Sequence, residues 1–295
     1  METTQVHKQL STAIKFLSDP RSSINSLIVH GPRGGQGKSS GVVKALRESN
    51  SKVDYEIFKG RLTAASFFEF IEKHATASLN SELRKIIVLD DCTGILSSSI
   101  ALNFLKVMTE KDGNGNSSKV SYSAKGGEIK SFSAENIGVI IITNNIDPKN
   151  SEWESTRDRA IFIEWDLSNP SLIKIMESMA ESSEFFPSLS IDVKKEVLSF
   201  IKKFADSPLL SLRIFQKACN AKLILSKEEY EAFIRSMLGD NKTTKRNEYL
   251  LELQDKRGMK EEEKCLTYMQ KFGCCRKSYW NHKKQLFGLL GKKAA

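Results

Sequence analysis

The spacing of apolar residues changes character along the chain. Between residues 26 and 165, short apolar runs recur without alternation: Ser26-Leu-Ile-Val-His30, Tyr55-Glu-Ile-Phe58, Lys85-Ile-Ile-Val-Leu-Asp-Asp91, Val139-Ile-Ile-Ile-Thr143 and Ala160-Ile-Phe-Ile-Glu-Trp165. The most apolar of these predict strands buried on both faces. Helical spacing fills the intervals. Residues 5–17 carry Val6, Leu10, Ile14, Phe16 and Leu17, and Leu62 to Ala77 carries Phe67, Phe68, Phe70 and Ile71. Ile100, Ala101, Phe104, Leu105 and Met108 follow the same period. Strands alternating with helices predict a parallel sheet covered on both sides. From Ser171 to Leu238 only helical spacing remains, over 171–182, 191–205, 210–224 and 227–238, as in a small helical lid. Gly239 to Gly258 is polar and charged and reads as a linker or a solvated helix. A last helical pair is expected over about 259–289.

The five cysteines are odd in number and scattered, and Met1 to Gln9 is polar, so an intracellular, reducing setting (cytoplasmic or nuclear) is the expectation. No apolar run has the length of a membrane span. Charge adds more. The formal net charge is +9, and residues 241–295 hold 14 Lys/Arg against 6 Asp/Glu, a net of +8, so the remainder is nearly neutral. No acidic residue follows Glu263. A tail of this kind suits a polyanionic partner, most simply nucleic acid; an acidic membrane surface or a solubilising tail is the plainer alternative.

The first strand runs into Gly31-Pro-Arg-Gly-Gly-Gln-Gly-Lys-Ser39 and then a helix, which is the context of a P-loop. Glycines let backbone N–H groups of Gly34, Gly35, Gln36 and Gly37 converge, and the helix start, with Ser40 in its first turn, adds its positive end; together they suit a polyphosphate. Lys38 would reach the β/γ-phosphates of ATP, and the Ser39 hydroxyl would hold Mg²⁺. The loop departs from the usual spacing: five residues separate Gly31 and Gly37, and Pro32 stands where the first glycine is expected. Asp90 and Asp91 end the third strand. Asp90 would hold the metal's water shell, and Asp91 would orient or deprotonate the attacking water; a helix-capping aspartate is the alternative.

Gly31–Ser39, Leu89-Asp-Asp91 and Ile142-Thr-Asn-Asn145, in that order, resemble the Walker A, Walker B and sensor 1 motifs of AAA+ ATPases. The middle of the chain is also similar to superfamily 3 helicases of viruses and plasmids. There an acidic pair is followed by a helix, a hairpin with a basic tip, and an apolar strand ending Thr-Asn. Asp112-Gly-Asn-Gly-Asn116, Lys119-Val-Ser-Tyr-Ser-Ala-Lys-Gly-Gly127 and Ile142-Thr-Asn-Asn-Ile-Asp147 keep that order. The resemblance covers about residues 24–225. It implies Asn144 as sensor 1, Arg157 or Arg159 as an arginine finger acting on a neighbouring subunit, and hence a ring-like homo-oligomer. Two surface arginines paired with Asp158 and Glu154 are the alternative. Arg213, in Ser211-Leu-Arg213-Ile-Phe-Gln-Lys-Ala218, resembles sensor 2, which superfamily 3 enzymes usually lack, or is a solvent-facing helix residue. Lys119 and Lys125 would meet phosphates from the hairpin, which is otherwise a solvated finger.

At the C-terminus, Glu261 to Phe272 puts Cys265, Leu266, Met269 and Phe272 on one face, Gly273 turns the chain, and a second helix starts at Arg276. This resembles a helix-turn-helix whose second helix would turn Arg276, Lys277, Ser278, Asn281, Lys283 and Lys284 toward DNA. A basic helical hairpin packed on the lid is the alternative. Cys265, Cys274, Cys275 and His282 match no common zinc spacing. The fold class expected is α/β: a P-loop parallel sheet of AAA+ type (1–168), a helical lid (169–239), a linker (240–258) and a small basic all-helical module (259–295). The function expected is a Mg²⁺-dependent ATPase acting on nucleic acid, DNA before RNA, as a helicase-like replication motor. A loader-type or transposition-type ATPase without unwinding, and a non-hydrolysing DNA-binding regulator, are the alternatives.

Overall fold

In the computed structural model the described residues are 5–49, 53–78, 84–110, 119–123, 127–146, 151–239, 242–256 and 258–289. The chain divides into two compact units, residues 3–166 and residues 167–295.

The first unit is built on five parallel strands: β1 (Ser26–His30), β2 (Asp54–Lys59), β3 (Lys85–Asp90), β6 (Ile137–Thr143) and β7 (Ile161–Glu164), in spatial order β2-β3-β6-β1-β7. Strands β3 and β6 lie inside the sheet, and their runs Ile86–Asp90 and Ile137–Thr143 are wholly buried. That is why their sequences lack alternation. Helices α1 (Gln5–Ser18) and α2 (Lys38–Glu48) pack on each other, and α1 also meets β1 and β7. A second apolar cluster joins Ile28, Ile87, Leu89, Val139 and Ile141 to α3 (Ala64–Ser78), α4 (Thr93–Leu96), α5 (Ser99–Thr109) and Trp153 of α6 (Ser151–Asp158). These residues alternate along their strands with Leu27, Val29, Ile86, Val88, Ile140 and Ile142, so apolar side chains leave the sheet on both sides.

Arg84 ties the start of this unit together. It is 2% exposed, and its guanidinium donates to the carbonyls of Leu17, Pro20, Ser22 and Ile24, which form the end of α1 and its connection to β1. Strands β4 (Lys119–Ser123) and β5 (Ile129–Ser133) form a separate antiparallel pair. Val120 and Phe132 anchor its base, where Phe68 meets Tyr122 and Phe132.

The second unit is helical: α7 (Asn169–Glu181), α8 (Ile191–Ile201) with a 3-10 turn over Lys202–Phe204, α9 (Leu212–Ile224), α10 (Lys227–Leu238), α11 (Lys242–Asp255), α12 (Glu261–Phe272) and α13 (Arg276–Leu289). Serines 168, 190 and 226 cap α7, α8 and α10, each accepting from a first-turn N–H. Of the two readings of the charged stretch 240–258, linker or solvated helix, the described residues show a helix, α11, and one with a buried face: Leu250 and Leu253 are fully buried, and α11 packs against the 3-10 turn and α12. Two leucines three residues apart were too weak a stripe to stand out in a charged segment. Among the described residues no helix is long and apolar enough to cross a membrane. All five cysteines are free thiols.

Candidate functional site

The C-terminal ends of β3, β6 and β1 lie side by side, with Asp90 opposite Ile142 and Thr143 opposite His30. In open parallel sheets this edge is where ligands are received. Residues 31–37 leave β1 here and enter α2, whose N-cap is Gly37 at φ 85. Only glycine takes that left-handed turn without strain. At Gly31 the constraint is space, since a Cβ would overlap the carbonyl of Trp165.

Lys38 is 6% exposed, and its ammonium donates to the carbonyls of Gly31 and Arg33 at 2.9 Å each and to Asn144 Oδ1 at 2.5 Å. The Asn144 amide in turn donates to Asp91 Oδ1 at 2.9 Å. Ser39 Oγ donates to Asp90 Oδ1 at 2.8 Å. The structure therefore brings Lys38, Ser39, Asp90, Asp91 and Asn144, spread over 106 residues of sequence, into two hydrogen-bonded sets joined only through the chain, at Lys38-Ser39 and Asp90-Asp91. Asp91 is exposed and stands at φ 54, rare for a residue with a side chain, with its N–H on the carbonyl of Ile142. Such backbone outliers concentrate at working sites. Ser40 is exposed and donates to the carbonyl of Gly37.

Four further contacts were not anticipated. Lys59, which ends β2 directly opposite Asp90, puts its ammonium 2.8 Å from Asp90 Oδ2. Arg33 at the loop tip pairs with Asp166, donating at 3.2 and 2.9 Å, and this lowers the Asp166 pKa. Gln36 also donates to Asp166, and its own carbonyl accepts from the indole of Trp165 at 3.1 Å. The loop with one residue more than usual is thus anchored to the segment that follows β7. Burial and the nearby Lys38 charge lower the pKa of His30.

Hard oxygen donors from Ser39 and Asp90 stand next to each other at the mouth of the loop, a donor set suited to Mg²⁺. The Lys59 ammonium now on Asp90 belongs to a side chain 65% exposed, so it can leave.

Arg157 and Arg159 are exposed and precede β7, whose first residue pairs with Leu27 near the start of β1, whereas the loop follows the end of β1. The pairings with Asp158 and Glu154 are not found. The Arg157 guanidinium lies 4.4 Å over the Phe162 ring, and Arg159 binds the Ser155 carbonyl and hydroxyl and lies 3.7 Å from Glu110. Arg213 is an exposed residue in the first turn of α9, in the second unit. Lys119 is exposed at the start of β4. Lys125, together with the segments 112–116 and Gly126, lies outside the described residues, as does Asp147.

In the basic pair of helices, α12 ends at Gly273 in a left-handed turn and α13 begins at Arg276, as expected. The buried face differs. Leu266 is 53% exposed, and Tyr268 takes the inner position beside Cys265. Lys283, expected to face DNA, is 1% exposed and bound to Glu261 at 2.6 Å, while the Tyr279 hydroxyl donates to the same carboxylate. The clue lay in the spacing: Lys283 falls within the stripe Tyr279, Leu286, Phe287. Arg276 pairs with Glu262 at the surface, Ser278 is half-buried, and Lys277, Asn281 and Lys284 are exposed. The Tyr268 hydroxyl is hydrogen-bonded to His282, and no metal-binding cluster occurs among the described residues.

No protein-family model matches the chain, and no curated protein matches it. Solved structures similar to it include the Thermotoga maritima RuvB Holliday junction branch migration motor, at 12% identity and a TM-score of 0.47, covering 96% of this chain and 88% of that one. The Aeropyrum pernix Orc1 protein in complex with DNA is another, at 14% identity and a TM-score of 0.45, covering 96% and 82%.

Proposed function

We propose that this chain is a Mg²⁺-dependent ATPase of the AAA+ type that acts on nucleic acid as an oligomer. The observation that carries the reading is the hydrogen-bonded group Lys38–Asn144–Asp91 beside Ser39–Asp90, at the carboxyl edge of three adjacent parallel strands. Order along the sheet supports it: the strand that leads into Asn144 lies between the P-loop strand and the strand ending in Asp90.

The roles follow from the chemistry. Backbone N–H groups from Gly34 to Gly37 and the start of α2 would hold the polyphosphate, and Lys38 would give its ammonium to the β/γ-phosphates in place of carbonyl oxygens. Ser39 and Asp90 would hold Mg²⁺, which when bound neutralises charge on the phosphate oxygens. Asn144 and Asp91, already joined, would position the attacking water, with Asp91 accepting its proton. Arg157 or Arg159 would complete the site of a neighbouring subunit; their place at the far end of β7 from their own loop supports action in trans. Arg213 would report nucleotide state from the lid. The exposed Lys277, Asn281 and Lys284, with Arg276 and Lys119, would contact nucleic acid. The order of motifs shared with superfamily 3 enzymes favours a replication motor of a virus, phage or plasmid, with an ATP-controlled loader the nearest alternative.

The deciding experiment is phosphate release with and without single- and double-stranded DNA, on the full chain and on Lys38→Ala. Turnover that survives the substitution with folding intact would overturn the site. A second reading, a nucleotide-binding regulator without turnover, is favoured by the short Asp91 carboxylate already held by Asn144. Nucleotide binding without phosphate release under every condition would select it.

A further inference from the structure

The buried pair Lys283–Glu261 fixes which side of α13 faces outward. With Tyr279, Lys283, Leu286 and Phe287 turned in, the exposed positions after Arg276 are Lys277, Trp280, Asn281, Lys284, Gln285 and Gly288. They fall at helical spacing on one stripe. On the edge of this stripe nearest the buried face is Trp280, which is 37% exposed, whereas the other two tryptophans, Trp153 and Trp165, are 3% and 0% exposed. The indole has the Lys283 ammonium 5.4 Å from its ring centroid and the Tyr279 ring edge-on at 5.3 Å, so its orientation is held by its neighbours. Lys277 lies one turn before it and Lys284 one turn after. No acidic residue occurs on α13, and Glu261 and Glu262, at the start of α12, are already paired with Lys283 and Arg276.

We infer that this stripe of α13 is a binding surface for single-stranded nucleic acid, with Trp280 as a platform for an unpaired base and Lys277 and Lys284 on the flanking phosphates. The inference rests on the nucleic-acid reading above and narrows its substrate. Charge complementarity commits the surface to a polyanion, and the aromatic ring selects among polyanions. Reading a duplex in the major groove needs side chains that donate to or accept from base edges, and an indole has one donor and no acceptor. What it offers is a flat face, useful where bases are free to leave their stack. Asn281, next to Trp280, supplies the polar contact such a base would meet on its edge.

The test uses the full-length protein and a labelled oligothymidylate, with a duplex of equal length, both followed by fluorescence anisotropy. The single strand should bind more tightly than the duplex. Trp280→Ala should weaken the single strand about tenfold and leave duplex binding unchanged, because stacking is lost while the charges remain. Trp280→Phe, which keeps a ring and guards against a folding artefact, should retain most of the affinity. Tryptophan emission quenched by the oligonucleotide should lose that quenching in Trp280→Phe. A wild-type preference for duplex, or Trp280→Ala binding like wild type, would overturn the stacking surface alone. If the wild-type chain binds neither nucleic acid, the wider reading falls with it.

Discussion

Neutralising Glu261 tests how α13 is seated. In Glu261→Gln, Lys283, whose side chain is 2% exposed, loses the carboxylate 2.6 Å away, and the Tyr279 hydroxyl keeps only a neutral acceptor. Removing one partner of a fully buried ion pair costs about 3–5 kcal/mol. The Glu261 side chain is 34% exposed, so water screens the pair, and about 2 kcal/mol is the appropriate expectation. For a helical unit of this size that is a fall in Tm of roughly 6 °C. Trp280 is the sole tryptophan after residue 166, so its fluorescence follows the melting of this unit, with circular dichroism as the second probe. The pH dependence has a definite sign. Burial would raise the Glu261 pKa, but hydrogen bonds from Lys283 and Tyr279 outweigh it and lower the value. A lowered folded pKa gives stability that is complete above the unfolded value, about 4.3, and lost as pH falls through the folded one. The gap between wild type and Glu261→Gln should therefore be full at neutral pH and close in acid below about pH 4. Equal melting at neutral pH, or a gap that persists unchanged in acid, would refute the pairing as the seat of α13.

Three other outcomes are expected. Mixing Lys38→Ala subunits with Arg157→Ala or Arg159→Ala subunits should restore phosphate release for whichever arginine acts on a neighbour; no restoration in either mixture would argue against action in trans. Lys59→Ala should lower the Mg²⁺ concentration needed for half-maximal nucleotide binding by up to about fivefold, the worth of an ion pair whose lysine is largely in solvent. A higher requirement would show that Lys59 assists the metal instead of competing with it. Arg84→Met should lower the urea midpoint of the 3–166 unit by the equivalent of about 3 kcal/mol, since four carbonyls lose a charged donor. An unchanged midpoint would contradict that.

Local signals carried much of this architecture into the sequence. Lys38, Ser39, Asp90, Asp91 and Asn144 were legible because each sits at a strand end or helix start marked by its own short motif. Lys59, Asp166 and Trp165 were not, since their importance depends on which strands and loops become neighbours. Arg33 and Asp166 are 133 positions apart, and nothing near either one announces the other. Lys283 illustrates a different limit. A basic residue in a basic segment reads as solvent-facing until its helical phase is set, and the phase is set by Tyr279 and by an acid on another helix. The helix bounds of α12 and α13 were close because Gly273 ends one helix through its backbone, whereas the buried face of α12 depended on its partners. The charged segment of α11 hid a buried face for a similar reason: Leu250 and Leu253 gain their meaning only from the surfaces they cover.

Lys38 has a consequence for ligand entry. An exposed lysine must shed its water before it can grip an anion, and hydration of an ammonium is strong. Here that step is completed during folding, because the side chain already lies beneath the loop with protein oxygens as its shell. A phosphate bound as proposed would therefore exchange with protein oxygens and have little solvent to displace. The exchange would gain charge, leave the ammonium close to where it began, and free Asn144 from the lysine for the water-positioning role proposed for it.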